Sequence, residues 1–448
     1  MKRLKFLALV LAGLMIFAGG AFADVVYTTV DAGYTSGSIG AVAGGEISPG
    51  GSSNLPNDTK VFSFTDHSGR ERVLFRENTD ASADSVTIYS TPGNWDRSDV
   101  EVNGNWFGKN IYGVETFGDY LYLVTNQTDN WPEQGSGQVI RVDMRNGYKF
   151  VDSYDLKNLV EDDKGEWRCG GVAIKEFGGD IYVVTAVFNL SLSRQFKASE
   201  VIKFGNGLLQ EPVVSVPVGK NAVGLTGGAA FYKGKLYIGC LGSAMGQPQV
   251  DGGYWEVDLA GMTSRQIINL DEYDALGLDG PYSGSGIAIA EDDGAAFLML
   301  LDDSDYDNPK ARLYVTDVDQ IVGGSIGTEV SDFPGKTGGS WGVSYDEYTK
   351  TFWCMAGEEL QAWRKDGSFI RSFTPADLGD NISYVAVVED ASGDGSDSSG
   401  DGSGSGSSGG GGGCDSGLLG GFGGLGLLAL LALYAGPASR ASSKCRRG

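Results

Sequence analysis

The chain has 448 residues, with 34 Lys+Arg against 58 Asp+Glu, a single histidine and a formal net charge of −24. Such an acidic surface repels nucleic acid and anionic membranes. One histidine excludes zinc sites built from His and Cys, and no G-x-S-x-G nucleophile accompanies it for Ser-His-Asp chemistry. Glycine is abundant at 71 residues, aromatics make up 11%, and long amphipathic helical patterns are missing, which together describe an all-β chain with many turns.

At the start, Lys2, Arg3 and Lys5 precede an apolar run at 6–17, and Ala21-Phe22-Ala23 is a small-x-small cleavage site. Residues 1–23 therefore read as a signal peptide for the general secretory route, leaving a mature chain from Asp24. Export removes three positive charges and makes the remainder more acidic still. The body then holds three cysteines, Cys169, Cys240 and Cys354, an odd set that reads as small buried hydrophobes rather than a disulfide framework.

Residues 24–390 repeat. Gly113, Gly171, Gly228, Gly286 and Gly342 each open an apolar strand. A tight turn follows, then a β-rich strand at 120–125, 181–185, 236–240, 296–300 and 351–355. The glycines recur every 56 to 58 residues or so, roughly the period of stacked units. Third strands follow at 138–143, 200–204, 254–258, 312–316 and 360–364, and fourth strands at 149–152, 212–215, 265–268 and 369–373.

Four strands on short turns make a propeller blade. The opening glycine fits inner strands that converge on a central channel. Residues 61–64, 72–75 and 85–89 add a shorter, irregular blade. A lone strand at 383–389 and the strands at 25–29 and 38–42 complete one more from both chain ends, which closes the ring without an open edge. The predicted fold is an all-β, seven-bladed β-propeller, with six or eight blades as alternatives. It resembles the YVTN/WD-like propeller superfamily, although no blade carries a full WD or kelch signature.

In a propeller, the loops joining second to third strands and those joining successive blades share one face. Here the first kind are long, at 126–137, 186–198, 241–253 and 302–310, and carry Trp131, Phe188, Phe196, Met245 and Tyr306. The inter-blade loops carry Trp106, Phe107, Trp167, Tyr282 and Trp341. An aromatic, polar face suits glycan or peptide recognition, and Trp106, Trp131, Trp167, Tyr282 and Trp341 are the candidate ligand-binding residues. The alternative is that these rings pack loops against neighbouring blades.

Asp303, Asp305 and Asp307 alternate as in calcium loops and are the candidate metal ligands. Asn308 stands where an EF-hand has glycine, and Tyr314 where it has its bidentate glutamate. A solvated acidic loop is the other reading. His67 sits in a polar turn, Asp66 to Gly69, and reads as a turn residue. No other cofactor is indicated.

Residues 391–413 are glycine, serine and aspartate, a flexible acidic linker with an r.m.s. span of roughly 25–30 Å. The tail, 414–448, begins with Cys414-Asp415-Ser416-Gly417 after Gly413. It continues with an uncharged segment at 418–435 and ends with Arg440, Lys444, Arg446 and Arg447. As a helix that segment spans about 27 Å, just short of a bilayer core of roughly 30 Å, and the basic end would stay cytoplasmic. Its many glycines disfavour a permanent helical anchor.

This arrangement resembles the C-terminal sorting signals of Gram-negative bacteria, most closely the Synergistes type (SYNERG-CTERM), related to GlyGly-CTERM and MYXO-CTERM tails. The resemblance covers about the last 35 residues. It implies transient anchoring through one transmembrane helix, removal of the tail by a rhomboid-like sorting protease at Gly413, Cys414, Asp415 and Gly417, and attachment at the cell surface. The alternative is a plain transmembrane anchor with an incidental cysteine.

Two functions are compatible with these readings. The first is a non-catalytic, monomeric propeller displayed on the cell envelope that binds an extracellular protein or glycan. The second is a calcium-dependent propeller hydrolase or lactonase acting at the channel mouth.

Overall fold

The computed structural model describes residues 25–31, 36–43, 46–56, 60–75, 85–90, 96–101, 111–126, 136–160, 167–189, 195–223, 228–242, 252–278, 282–302, 310–331, 333 and 342–388. The stretches read from the sequence as signal peptide, linker and sorting tail, with the 418–435 segment, lie outside these residues, as do Asp303, Asp305 and Asp307. So do Trp106, Trp131 and Trp341. Among the described residues no helix is long and apolar enough to cross a membrane.

The protein is an all-β propeller of four-stranded antiparallel sheets. Among the described residues, six sheets are each built from four consecutive strands. The seventh four-stranded sheet takes its first strand, Asn381–Val387, from the end of the body and the other three from its start, Val25–Val30, Ser36–Ala43 and Glu46–Pro56. The chain thus has six continuous blades rather than the anticipated seven, and the composite sheet made from both chain ends closes the ring. We number the composite sheet 1 and the continuous sheets 2 to 7 in chain order. The closure is a regular ladder, with Val25 opposite Val387, Val26 opposite Ala386 and Tyr27 opposite Val385.

First strands contact first strands around the axis, from sheet 1 to 2, 3 and 4 and from sheet 5 to 6, 7 and back to 1. The apolar core lies between neighbouring sheets. Tyr122, Val124, Cys169, Ile174, Ile181 and Phe204, for example, fill the space between sheets 3 and 4. The hydrophobic effect therefore acts between blades, and a single four-stranded sheet has little to bury alone.

The recurring glycines have a specific role. The ladder shifts register at Ile111/Gly113, Gly171/Ala173 and Gly284/Gly286, so each sits at a β-bulge in a first strand. A Cβ on Gly113 would lie 3.0 Å from Ile174 Cγ2 of the next sheet, and one on Gly171 would fall onto Val124 of the preceding sheet. These positions lie where adjacent first strands come closest.

Four elements depart from the sequence reading. Glu46–Pro56 forms the fourth strand of sheet 1 despite its Gly, Ser and Pro content. Asp96–Glu101 completes sheet 2, which is a full four-stranded unit. In sheet 4 the fourth strand runs Val214–Lys220, later than expected, and holds Pro217, tolerated at an outer edge. In sheet 6 a short helix, Val318–Val322, capped by Asp317, displaces the fourth strand to Thr328–Glu329.

Candidate functional site

Among the described residues, the strands of sheet 4 extend far toward the loop face. Its first three strands, Trp167–Phe177, Asp180–Asn189 and Phe196–Phe204, rise beyond the blade's ordinary height. Trp167, Phe188 and Phe196 were expected in loops, and all three are strand residues. The run from Ile181 to Phe188 is apolar and rich in β-branched residues, and it continues pairing past the bulges instead of turning. The pairs are Trp167 with Asn189, Arg168 with Phe188, Cys169 with Val187, Val187 with Lys197 and Phe188 with Phe196.

Opposed residues in an antiparallel ladder share a face, and alternate residues along a strand share it too. Trp167, Cys169, Val187, Asn189 and Lys197 therefore occupy one side. Arg168, Phe188 and Phe196 occupy the other. Lys220 joins them, because it stands opposite Ala198, two residues after Phe196.

The first side looks toward sheet 3. Trp167 packs there with Leu156, Leu159 and Val160, and the Lys197 ammonium lies 4.3 Å from its ring centroid. That cation–π contact covers the ring from outside. Trp167 is thus an anchor for Lys197 rather than an open stacking platform. Cys169 is fully buried beside it, and burial pushes its thiol up to about 12, which leaves it inert. Its amide donates to Ser136 Oγ of sheet 3 at 3.1 Å, so the raised end is stitched to its neighbour.

The second side looks toward sheet 5, against whose Leu236, Ile238 and Cys240 the lower residues Val172 and Ala186 pack. Arg168, Phe188, Phe196 and Lys220 are all half-buried there, in a row that runs across the strands.

Tyr282 meets a fate like that of Trp167. It is only 3% exposed, and the Arg312 guanidinium carbon lies 5.0 Å from its ring centroid. Arg312 also pairs with Glu329 at 3.4 Å. Trp167 and Tyr282 belong to different sheets, and each ring is covered by a cation of its own sheet.

The ring's inner region carries two buried cations. Lys60 is enclosed by Tyr112 and Tyr384, with its ammonium 4.6 and 5.1 Å from the two centroids. Lys175 of sheet 4 pairs with Glu115 of sheet 3 at 3.7 Å, at side-chain exposures of 5% and 2%. Lys175 also lies 5.3 Å from the Phe231 ring of sheet 5. Three consecutive first strands are linked in this way. His67 is exposed in its turn, as expected. Among the described residues no group of three or more His, Cys, Asp or Glu could hold a metal ion.

Sequence reasoning named the aromatics of this face but missed Arg168, Lys197 and Lys220. The available signal was alternation: Trp167-Arg168-Cys169 and Phe196-Lys197-Ala198 each place a cation next to a ring.

No protein-family model matches the chain, and no curated protein matches it. Solved structures with similar architecture include the β-propeller domain of the Trilobed protease from Pyrococcus furiosus. That likeness has 12% identity and a TM-score of 0.41, over 80% of this chain and 94% of that one. A Mycobacterium tuberculosis puromycin-hydrolyzing peptidase is similar at 11% identity and a TM-score of 0.44, over 79% of this chain and 52% of that one. These are distant likenesses of fold.

Proposed function

We propose that the protein is an exported, surface-anchored propeller that binds an extracellular protein or glycan without converting it, and that the raised end of sheet 4 is its recognition site. One observation carries this reading. The row Arg168, Phe188, Phe196 and Lys220 lies at the end of the blade opposite the point where both chain ends leave. Val25 and Val387 are paired at the first-to-second-strand end of sheet 1, whereas the raised strands belong to the other face. A linker that starts after residue 390 and leads to a membrane anchor would then turn the recognition face outward.

The direct test is an array of glycans and extracellular peptides probed with the exported protein and with Phe188→Ala. The expected result is a small set of hits that the variant loses. An empty array, or hits indifferent to Phe188→Ala, would reject the reading. Repeating the array with a calcium chelator examines Asp303, Asp305 and Asp307.

A further inference from the structure

We propose that the face of the ring formed by the first-to-second and third-to-fourth strand turns settles on a lipid surface of zwitterionic headgroups, which depends on the reading of the chain as membrane-anchored. The first argument is where apolar side chains are left in water. Among the described residues the exposed large hydrophobics are Val151, Leu208, Val213, Val214, Tyr348 and Phe369. All lie toward the same end of their sheets. Tyr348 is in the first-to-second turn of sheet 7, and Phe369 opens its fourth strand. Leu208 and Val213 belong to the third-to-fourth connection of sheet 4, and Val214 opens its fourth strand. Val151 is the bulged third residue of the fourth strand of sheet 3, Lys149–Asp155. In an antiparallel meander these two kinds of turn share one end. On the opposite face, the described connections at 156–160 and 270–278 bury or half-bury their large apolar residues.

The backbone holds the exposed side chains outward. Asp346 accepts from the amides of Tyr348 and Thr349 at 2.9 and 3.1 Å, which fixes the turn with Tyr348 72% exposed. Glu347 and Lys350 pair at 2.9 Å on either side of the ring, so the pair adds no net charge there. The Leu208 amide donates to Gly205 O at 3.1 Å and the Val213 amide to Lys203 O at 2.8 Å. Ordered turns that present Tyr, Leu and Val suit the headgroup boundary, where such side chains leave water.

The second argument is arrangement. One group spans sheets 3 and 4 and the other belongs to sheet 7, with two sheets between them in either direction around the ring. Each group is a few side chains, whereas a stable protein interface takes about 20–30 residues a side. A plane meets both groups at once.

The third argument is the course of the chain. Val387, paired with Val25 at the first-to-second end of sheet 1, leaves the body on this same face. The residues that follow are read from the sequence as a linker spanning roughly 25–30 Å to the apolar segment 418–435. A tether of that reach gives an effective concentration on the order of millimolar, so weak contacts suffice. The net charge of −24 favours zwitterionic over anionic headgroups.

The experiment uses three full-length variants: Leu208→benzoylphenylalanine, Tyr348→benzoylphenylalanine and, as a control, Ala275→benzoylphenylalanine. Ala275 is exposed on the opposite face, between sheets 5 and 6. Each photocrosslinking variant is reconstituted into phosphatidylcholine vesicles and irradiated, and adducts are read by mass spectrometry. Lipid adducts are expected from positions 208 and 348, about tenfold above those from 275.

Equal yields from the three positions would overturn the proposal, and flotation of the same vesicles shows separately whether the anchor holds. Adducts between two copies of the chain would overturn it in favour of self-association. Adducts with residues 418–435 would overturn it in favour of a folded-back tail. Protein that does not float with the vesicles would reject the anchor and the proposal together.

Discussion

The Tyr122 hydroxyl donates to the main-chain carbonyl of Gly207 at 2.8 Å and so ties sheet 3 to the third-to-fourth strand turn of sheet 4. The device recurs. Tyr182 reaches Leu259 O of sheet 5 at 3.1 Å, and Tyr254 reaches Met299 O of sheet 6 at 2.7 Å. Each phenol buries its ring between blades and spends its one polar group on the neighbour's backbone, so none of these three hydroxyls is stranded in the core.

Tyr122→Phe should therefore lower stability by about 0.5–1.5 kcal/mol, the usual net worth of such a bond. Gly207→Ala should cost more. Gly207 has φ 64, and a Cβ there would fall on the Tyr122 hydroxyl. The left-handed conformation alone costs an L-residue about 1–2 kcal/mol. Urea unfolding midpoints of the two variants check the order.

The Glu115–Lys175 pair gives a double-mutant test. Either single change, Glu115→Gln or Lys175→Met, breaks a buried ion pair and should cost about 3–5 kcal/mol. The double variant should be less destabilised than the two singles summed. A strictly additive double would mean that the two groups do not interact.

Glu256 sets a pH dependence. Burial alone would raise its carboxyl, but hydrogen bonds from Arg265, Lys235 and Tyr237 outweigh burial and hold it below its ordinary value of 4.5. A folded value below the unfolded one stabilises the protein above pH 4.5, and that contribution disappears as pH falls through the folded value. Glu256→Gln should thus lower the melting temperature at neutral pH and flatten its decline below pH 4.5. Parallel melting curves for variant and wild type down to pH 3 would count against this assignment.

Removing the residues from Asn381 onward should leave Val25–Val30 as an open strand edge, although all six of its residues are buried in the closed ring. Such edges recruit other chains. Light scattering should then find multimers in place of the intact protein's smaller species.

At the chain's end, Cys414→Ala or deletion of 418–448 should release the protein into the medium or alter its processing. Cell fractionation with an antibody to the body reads the outcome, and an unchanged distribution would argue against a sorting role for the tail.

The propeller was legible because its signals are local. A glycine, an apolar run, a turn and a second apolar run recur, and the copies at Gly113, Gly171 and Gly286 share the same bulge. The pairing of Val25–Val30 with the final strand was also readable, because an unmatched first strand needs partners. Glu46–Pro56 and Asp96–Glu101 were not. Outer strands are half-solvated and need no apolar periodicity, so Gly, Ser and Asp can occupy them.

The proposed recognition face was readable only in outline. Its aromatics were visible, but which rings are open depends on register. Trp167 and Phe188 differ in role because a bulge puts Lys197 on one side and Arg168 on the other. No spacing in the chain discloses where a ladder slips by one residue.

The composite sheet also governs when the molecule can be finished. A chain made from its N-terminus lays down Val25–Val30 first and Asn381–Val387 only after every other blade. That greasy first strand must wait through nearly the whole of synthesis for its mate. Such long-range pairing makes ring completion slow, and the half-made wheel is an attractive client for holding chaperones. A ribosome that stalls early would yield a product that cannot lock, so the final strand acts as a mark of completeness.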